Sequence, residues 1–394
     1  MNDKRGWALT RPERMTFVFR WPGWLLPIVA GALLTTVSVS LVHAADPVAR
    51  DVAISVGLVP PQGPNQQSYG KSPIFDYDGD GDLDVLLSTH LAEWPLMRNR
   101  GDGTFASALP GTFFPADRHS CVAADFGSIG GTGRPDGRPD VYCVTGSCKG
   151  TCPGPNHLFL QRANGTFAEA GAAWGVADPG PPARDTAALD FNHDGLMDIA
   201  VSNTTPSAVP SRDRLFKNVG GRFELVTNTV VNRVTTSVCV EAADLDRDGW
   251  TDLVFCGQGS VLVYHNAHGT FQDITPSMPP SIRRNAWDVD LTDLNGDGRP
   301  DLLRLQPKRL DVWLNQGGNR FPSTPSFSYP LQQGRGVAAG DVNLDGKADI
   351  YVVQASNATV SDVMLINDGN GASYHTMAVP QTRVGSGDAV VTFP

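Results

Sequence analysis

One nine-residue pattern, repeated along the chain, limits the possible folds more than any other feature. Asp76-Tyr-Asp-Gly-Asp-Gly-Asp-Leu-Asp84 reads D-x-D-x-D-G-x-x-D and runs into the apolar segment Val85-Leu-Leu-Ser88. The pattern returns at Asp190–Asp198, Asp244–Asp252, Asp293–Asp301 and Asp341–Asp349. A sixth version, Asp125 to Asp140, is stretched by an insertion and lacks the middle carboxylates. First positions are spaced 49, 65, 54, 49 and 48 residues apart. A period of about 50 residues suits a blade of four short strands. No long stretch shows a helical 3.6-residue period.

Alternate carboxylates around a tight glycine turn provide the oxygen donors that a hard cation requires. Asp76, Asp78, Asp80 and Asp84 would be side-chain ligands, with the carbonyl of Asp82 between them and Gly81 making the sharp turn. The later loops repeat the set: Asp190, Asn192, Asp194 and Asp198 with Leu196; Asp244, Asp246, Asp248 and Asp252 with Trp250. Asp293, Asn295, Asp297 and Asp301 go with Arg299, and Asp341, Asn343, Asp345 and Asp349 with Lys347. In the stretched loop only Asp125, Asp136 and Asp140 remain, which puts its metal in doubt.

An EF-hand would need a bidentate Glu at position twelve. Here that position holds Leu87, Val201, Phe255, Arg304 and Val352, so the EF-hand reading fails. One such loop alone could be a solvated Asx turn, but five with the same ligands argue for metal. Ca2+ is favoured over Mg2+, which demands stricter octahedral geometry. The role reads as structural, because the loops repeat and carry no neighbouring base at fixed spacing. The net charge of −10 fits this reading, since five bound Ca2+ would cancel it. It also argues against a nucleic-acid partner.

Each loop lies between a small-residue strand, such as Val240-Glu-Ala-Ala243, and an apolar one, such as Leu253-Val-Phe255. A third strand ends in a turn and an aromatic: Asn99 to Phe105, Asn218 to Phe223, Asn266 to Phe271 and Asn315 to Phe321. Asn and Gly readily take the positive φ that hairpin turns need. These paired motifs resemble the FG-GAP/VCBS repeat family over roughly residues 50–394. The resemblance implies an all-β calcium-binding β-propeller like the integrin α-subunit head, with six to seven four-stranded blades. Six units are complete. Gly387–Phe393 looks like the first strand of another, and Asp51–Leu58 like a fourth strand, so the two termini could together close the ring. Truncation of a longer product remains an alternative.

Residues 1–44 read as a signal peptide: basic residues precede the apolar run Trp24–Leu34, and Val42-His-Ala44 suits cleavage. Met15 could be the true start. An uncleaved anchor is the alternative, since residues 24–42 could just span a bilayer. The mature propeller, residues 45–394, would then have no membrane span and be secreted, periplasmic or on the cell surface. The six cysteines agree with export. Cys121 and Cys143 flank the second loop much as Cys239 and Cys256 flank the fourth, so each couple should bridge the first two strands of its blade. Cys148 and Cys152 would close a short loop of their own.

Basic residues recur ahead of the first strands: Lys71, Arg118, Arg184, Arg233, Arg283, Arg284, Arg335 and Arg383. In a propeller those links lie on the face opposite the metal loops. Arg118, Arg184, Arg284 and Arg335 would attract an acidic ligand there, and Trp94 and Trp287 could stack on a sugar. The plainer alternative is that the arginines bond carbonyls and cap turns. No catalytic motif stands out. The sequence therefore reads as a secreted binding or adhesion module for a carbohydrate or protein ligand. The alternative is a propeller-type polysaccharide lyase acting on acidic glycans.

Overall fold

The computed structural model describes residues 55–58, 71–89, 91–130, 132–146, 154–179, 182–204, 211–233, 236–354 and 360–379. They form six four-stranded sheets, each an antiparallel meander of four strands consecutive in sequence. The blades span residues 74–108, 118–169, 183–225, 237–273, 288–330 and 334–377. The chain is thus an all-β six-bladed propeller, with a single 3-10 turn at Thr275–Ser277 as the helical element among the described residues. The proposed closing strand Gly387–Phe393, residues 1–54, Cys148, Cys152 and Arg383 lie outside the described residues.

Every complete nine-residue loop joins the first strand of its blade to the second, as the repeat predicts. Blade four shows the arrangement: Ser237–Ala243 and Asp252–Gly257 pair with Ala243 opposite Asp252, so the loop closes a hairpin. The second strands of blades two, three and four are buried along their whole length. Each lies inside its sheet and has a neighbouring blade on both faces. That position calls for a continuous apolar run rather than alternation, and Ile199-Ala-Val201 and Leu253-Val-Phe255 supply one.

The cores lie between blades. Trp94, Phe113, Phe159 and Phe167 fill the seam of blades one and two, and Trp174, Ile199, Phe216 and Phe223 that of two and three. Further seams join three to four, four to five and five to six. Each fully buried large side chain contributes roughly 1.5–3 kcal/mol. Cys121 is the cross-strand partner of Cys143, and Cys239 of Cys256, and both couples are disulfides.

The short N-terminal segment Ser55–Leu58 touches blade one. Phe105 N donates to Val56 O at 2.7 Å, as Phe223 N donates to Trp174 O at 2.7 Å two blades later. Gly57 has φ +81°, and a Cβ there would stand 2.5 Å from the carbonyl oxygen of Phe105, so only glycine fits.

The hairpin turns take the positive φ expected of Gly and Asn, at their glycines and at Asn319. Asn99, Asn218, Asn266 and Asn315 do not adopt positive φ; the left-handed positions are Gly101, Gly220, Gly269, Gly317 and their neighbours. Asn99, Asn218 and Asn266 end their third strands, Asn315 lies two residues beyond its own, and the Oδ1 of each accepts from a turn glycine N–H.

Candidate metal centres and ligand face

The five complete acidic loops share one hydrogen-bond scheme. The first Asp accepts from the backbone N–H of the sixth-position glycine: Gly81 to Asp76 at 2.9 Å, Gly195 to Asp190 at 2.9 Å, Gly249 to Asp244 at 2.8 Å. Gly298 to Asp293 and Gly346 to Asp341 repeat it at 2.7 and 2.8 Å. The fifth-position carboxylate accepts from the N–H of residue seven, as Trp250 to Asp248 at 2.9 Å. Gly81 takes φ +88°, as a turn this tight requires. These bonds gather the side-chain oxygens. Donor atoms of Asp76, Asp78 and Asp84 lie within 4.8 Å of one another, as do those of Asp244, Asp246 and Asp248. Asp246 Oδ1 is buried without a hydrogen-bond partner. The donor set is all oxygen and densely anionic, so it suits a calcium-like ion.

The ninth-position Asp is the hub of each loop. Asp252 Oδ2 accepts from Leu245 N at 3.0 Å, and its Oδ1 accepts from Asn266 N at 2.7 Å. Asp84, Asp198, Asp301 and Asp349 repeat both bonds. Burial pushes these carboxyls up, to about 7 in Asp84 and Asp198 and about 6 in Asp252, Asp301 and Asp349. Burial disfavours the charged form, and a bound cation would restore it.

The third-strand Asn then carries the contact to the preceding blade. Asn218 Nδ2 donates to Phe126 O of blade two, Asn266 to Phe191 O of blade three, Asn315 to Leu245 O of blade four and Asn367 to Leu294 O of blade five. In each case the acceptor directly follows the first Asp of the neighbouring loop. Blade two uses Gln161 instead, reaching Tyr77 O at 2.5 Å. These clamps escaped the sequence reading, although the recurrent Asn before each glycine turn was their signal.

The second loop keeps part of the scheme. Asp125 Oδ2 accepts from Asp136 N at 2.9 Å and from Gly137 N at 2.5 Å, so Asp136 and Gly137 stand at the fifth and sixth positions. Asp140 is the hub, with Phe126, Gly127 and Gln161 donating to it. No carboxylate fills the third position, and Arg138 is paired with Asp136.

Cationic side chains also reach the complete loops. Arg98 contacts Asp78 at 2.6 Å and Asp80 at 2.9 Å, Lys217 contacts Asp194 at 3.3 Å, and Lys347 contacts Asp345 at 3.4 Å. Arg299 pairs with Asp297. These pairs are partly or fully exposed and screened, so a divalent ion would displace them readily.

On the opposite face, the six candidate ligand residues divide. Arg118 is fully buried. It donates to Phe113 O and Phe114 O, and its guanidinium lies over the rings of Phe114 and Phe159. Trp94 is also fully buried in the first seam, its Nε1–H donating to Thr89 O. Neither can meet a ligand, because packing between blades turns both side chains inward. Arg184 is half-buried, with Nη1 2.8 Å from His119 Nε2. Trp287 is 39% exposed, and the Arg335 guanidinium sits 4.7 Å from its ring centroid; Arg284 is exposed nearby in sequence.

Lys71 does not join a basic ring. It meets Asp185 at 2.9 Å and pairs with Glu241, bringing the segment before blade one against blades three and four. Asp185 and Asp288 also accept from Val240 N and Val337 N of the following blades, both at 3.0 Å. Burial raises Glu241 to about 7 and Asp288 to about 8, while Lys71 opposes the shift.

Comparison with known proteins agrees with this architecture. Residues 134–201, 206–255, 244–304 and 293–352 match the FG-GAP-like repeat, together more than half of the chain. Cartilage acidic protein 1 is 31% identical over 178 residues in both Mus musculus and Homo sapiens, covering 42% of this chain and 26% and 25% of theirs. The match thus spans about a quarter of the length of those relatives. A lectin of Agrocybe aegerita, described for its specific recognition of non-reducing terminal N-acetylglucosamine, superposes with a TM-score of 0.52 at 18% identity. The superposition covers 81% of this chain and 82% of the lectin, a likeness of fold alone. No helix among the described residues is long and apolar enough to cross a membrane. Repeated loops, matching blades and the family match lead to one conclusion: the chain belongs to the FG-GAP-like repeat family.

Proposed function

We propose that this protein is a secreted, calcium-stabilised propeller that binds an extracellular carbohydrate or protein ligand on the face opposite its metal loops. The observation that carries the ligand face is the Arg335–Trp287 pair. An exposed indole is a stacking surface, and a guanidinium held 4.7 Å from its centroid adds fixed positive charge beside it. Exposed Arg284 adds a second charge. This chemistry suits an acidic sugar such as a uronate, whose ring can stack while its carboxylate meets arginine. The lectin of similar fold lends support, as one propeller of this shape is described as recognising a sugar. The calcium reading is supported by the gathered oxygens of the loops, and secretion by the disulfides of blades two and four.

The test is a panel of acidic and neutral polysaccharides, scored for binding and for unsaturated products by ultraviolet absorbance. Binding to acidic members, weakened about tenfold or more by Trp287→Ala or Arg335→Ala, is expected. Binding unchanged in both variants would remove the assigned face, and unsaturated products would replace the binding module with a lyase.

A further inference from the structure

Blade four departs from its neighbours at one position. The residue before the third-strand Asn or Gln is Arg98, Leu160, Lys217, His265, Leu314 and Ile366 in blades one to six. In blades one and three a permanent cation reaches the loop from this place. In blades two, five and six an apolar side chain occupies it. Blade four alone places an imidazole there, a group that can give a lone pair to a metal.

His265 Nδ1 lies 3.1 Å from Asp252 Oδ1 and 3.5 Å from Asp246 Oδ2. Donor atoms of Asp246, Asp252 and His265 all fall within 4.8 Å of one another, the one such group among the described residues to include a histidine. Asn319, on the blade-five hairpin with φ 57°, closes the set from the neighbouring blade. Its Nδ2 donates to Asp246 Oδ2 at 2.7 Å and stands 3.4 Å from His265 Nδ1. Two oxygens of this group, Asp246 Oδ1 and Asn319 Oδ1, are buried without a partner. Buried oxygens without donors are costly unless something positive meets them. Turning the Asn319 amide by half a rotation would present its carbonyl where Nδ2 now stands.

We infer that the blade-four loop is a mixed nitrogen–oxygen site, formed by Asp246, Asp252, His265 and Asn319, that takes a divalent first-row transition ion, zinc above all, in preference to calcium. Imidazole suits zinc and its late-row neighbours, whereas calcium takes oxygen donors. Adjacent ligand atoms around an ion with bonds of about 2.0–2.2 Å stand ~3 Å apart, close to the separations already present around His265. The inference rests on reading the loops as cation sites, and it makes blade four chemically distinct from the other five.

The experiment uses the full chain stripped with chelator and titrated calorimetrically, first with Ca2+ and then with Zn2+ or Mn2+ in about 1 mM Ca2+. The expected result is a single tight zinc or manganese site that survives the calcium and weakens at least about tenfold in His265→Gln. Asn319→Ala should weaken it less, and the double variant His193→Ala, His268→Ala should leave it unchanged. Pulsed electron paramagnetic resonance of Mn2+-loaded wild-type protein should show a directly bound nitrogen, which decides the matter if His265→Gln fails to fold. Zinc binding that is absent, unaffected by His265→Gln, or lost in the double variant overturns the inference, as does a manganese spectrum without nitrogen. Calcium bound without zinc would sink this inference alone; binding of neither ion would sink the cation reading of the loops.

Discussion

Asn315 of blade five donates its Nδ2–H to the carbonyl of Leu245 in blade four at 2.7 Å. Leu245 N in turn donates to Asp252, the hub of the blade-four loop. One buried amide therefore ties the acidic loop of one blade to the third strand of the next, and the same link recurs in blades three to six.

Removing that amide should loosen the ring at one seam. Asn315→Ala leaves the carbonyls of Leu245 and Pro300 without their donor and removes the acceptor for Gly317 N. Each buried group left unsatisfied costs about 1–3 kcal/mol. Chemical denaturation should show a loss of at least about 2 kcal/mol. A loss below about 0.5 kcal/mol would mean that water replaces the clamp.

The disulfides should stabilise mainly by restricting the unfolded chain. Cys121 and Cys143 are separated by 22 residues and Cys239 and Cys256 by 17, so each closure contributes about 3 kcal/mol in the chain-entropy account. Replacing Cys239 and Cys256 together with alanine should lower stability by an amount of that order, read by urea unfolding. Equal stability with and without the bridge would refute this.

The Lys71 cluster predicts a pH dependence with a definite sign. Burial raises the folded-state values of Glu241 and Asp288 above those of the unfolded chain, so the folded state holds their protons more tightly. Their contribution is complete below about pH 4 and is lost as pH rises through about 7 to 8, at no more than about 1.4 kcal/mol per pH unit for each group. With calcium in excess, to keep the loop carboxylates ionised, stability should fall between about pH 4 and 8 and level off above that. Asp288→Asn should flatten that fall. A fall of the same steepness in the variant would assign the dependence to other groups.

The sequence revealed the parts whose chemistry is local. Alternating Asp around Gly81 has few uses other than a cation turn, and five copies at one period leave little choice of architecture. The pairing of Cys239 with Cys256 followed from their places on either side of a hairpin. What escaped notice depended on which face of a sheet a side chain leaves from and what the next blade places there. Trp94 and Arg118 looked like surface residues because their links are at a rim, yet both point into the first seam. Lys71 looked like one member of a basic series but joins carboxylates two and three blades away. Such contacts span more than a hundred residues of chain, and no local pattern encodes them.

The central claim is that cations in the loops hold the blades together. Thermal unfolding of the full chain in about 1 mM calcium, compared with excess EDTA, tests it most directly. A site at the tight end of the extracellular range contributes about 1.4 kcal/mol, so five approach roughly 7 kcal/mol. The account predicts that EDTA lowers the melting temperature by on the order of ten degrees and that calcium restores it. An identical melt in calcium and in EDTA would contradict it.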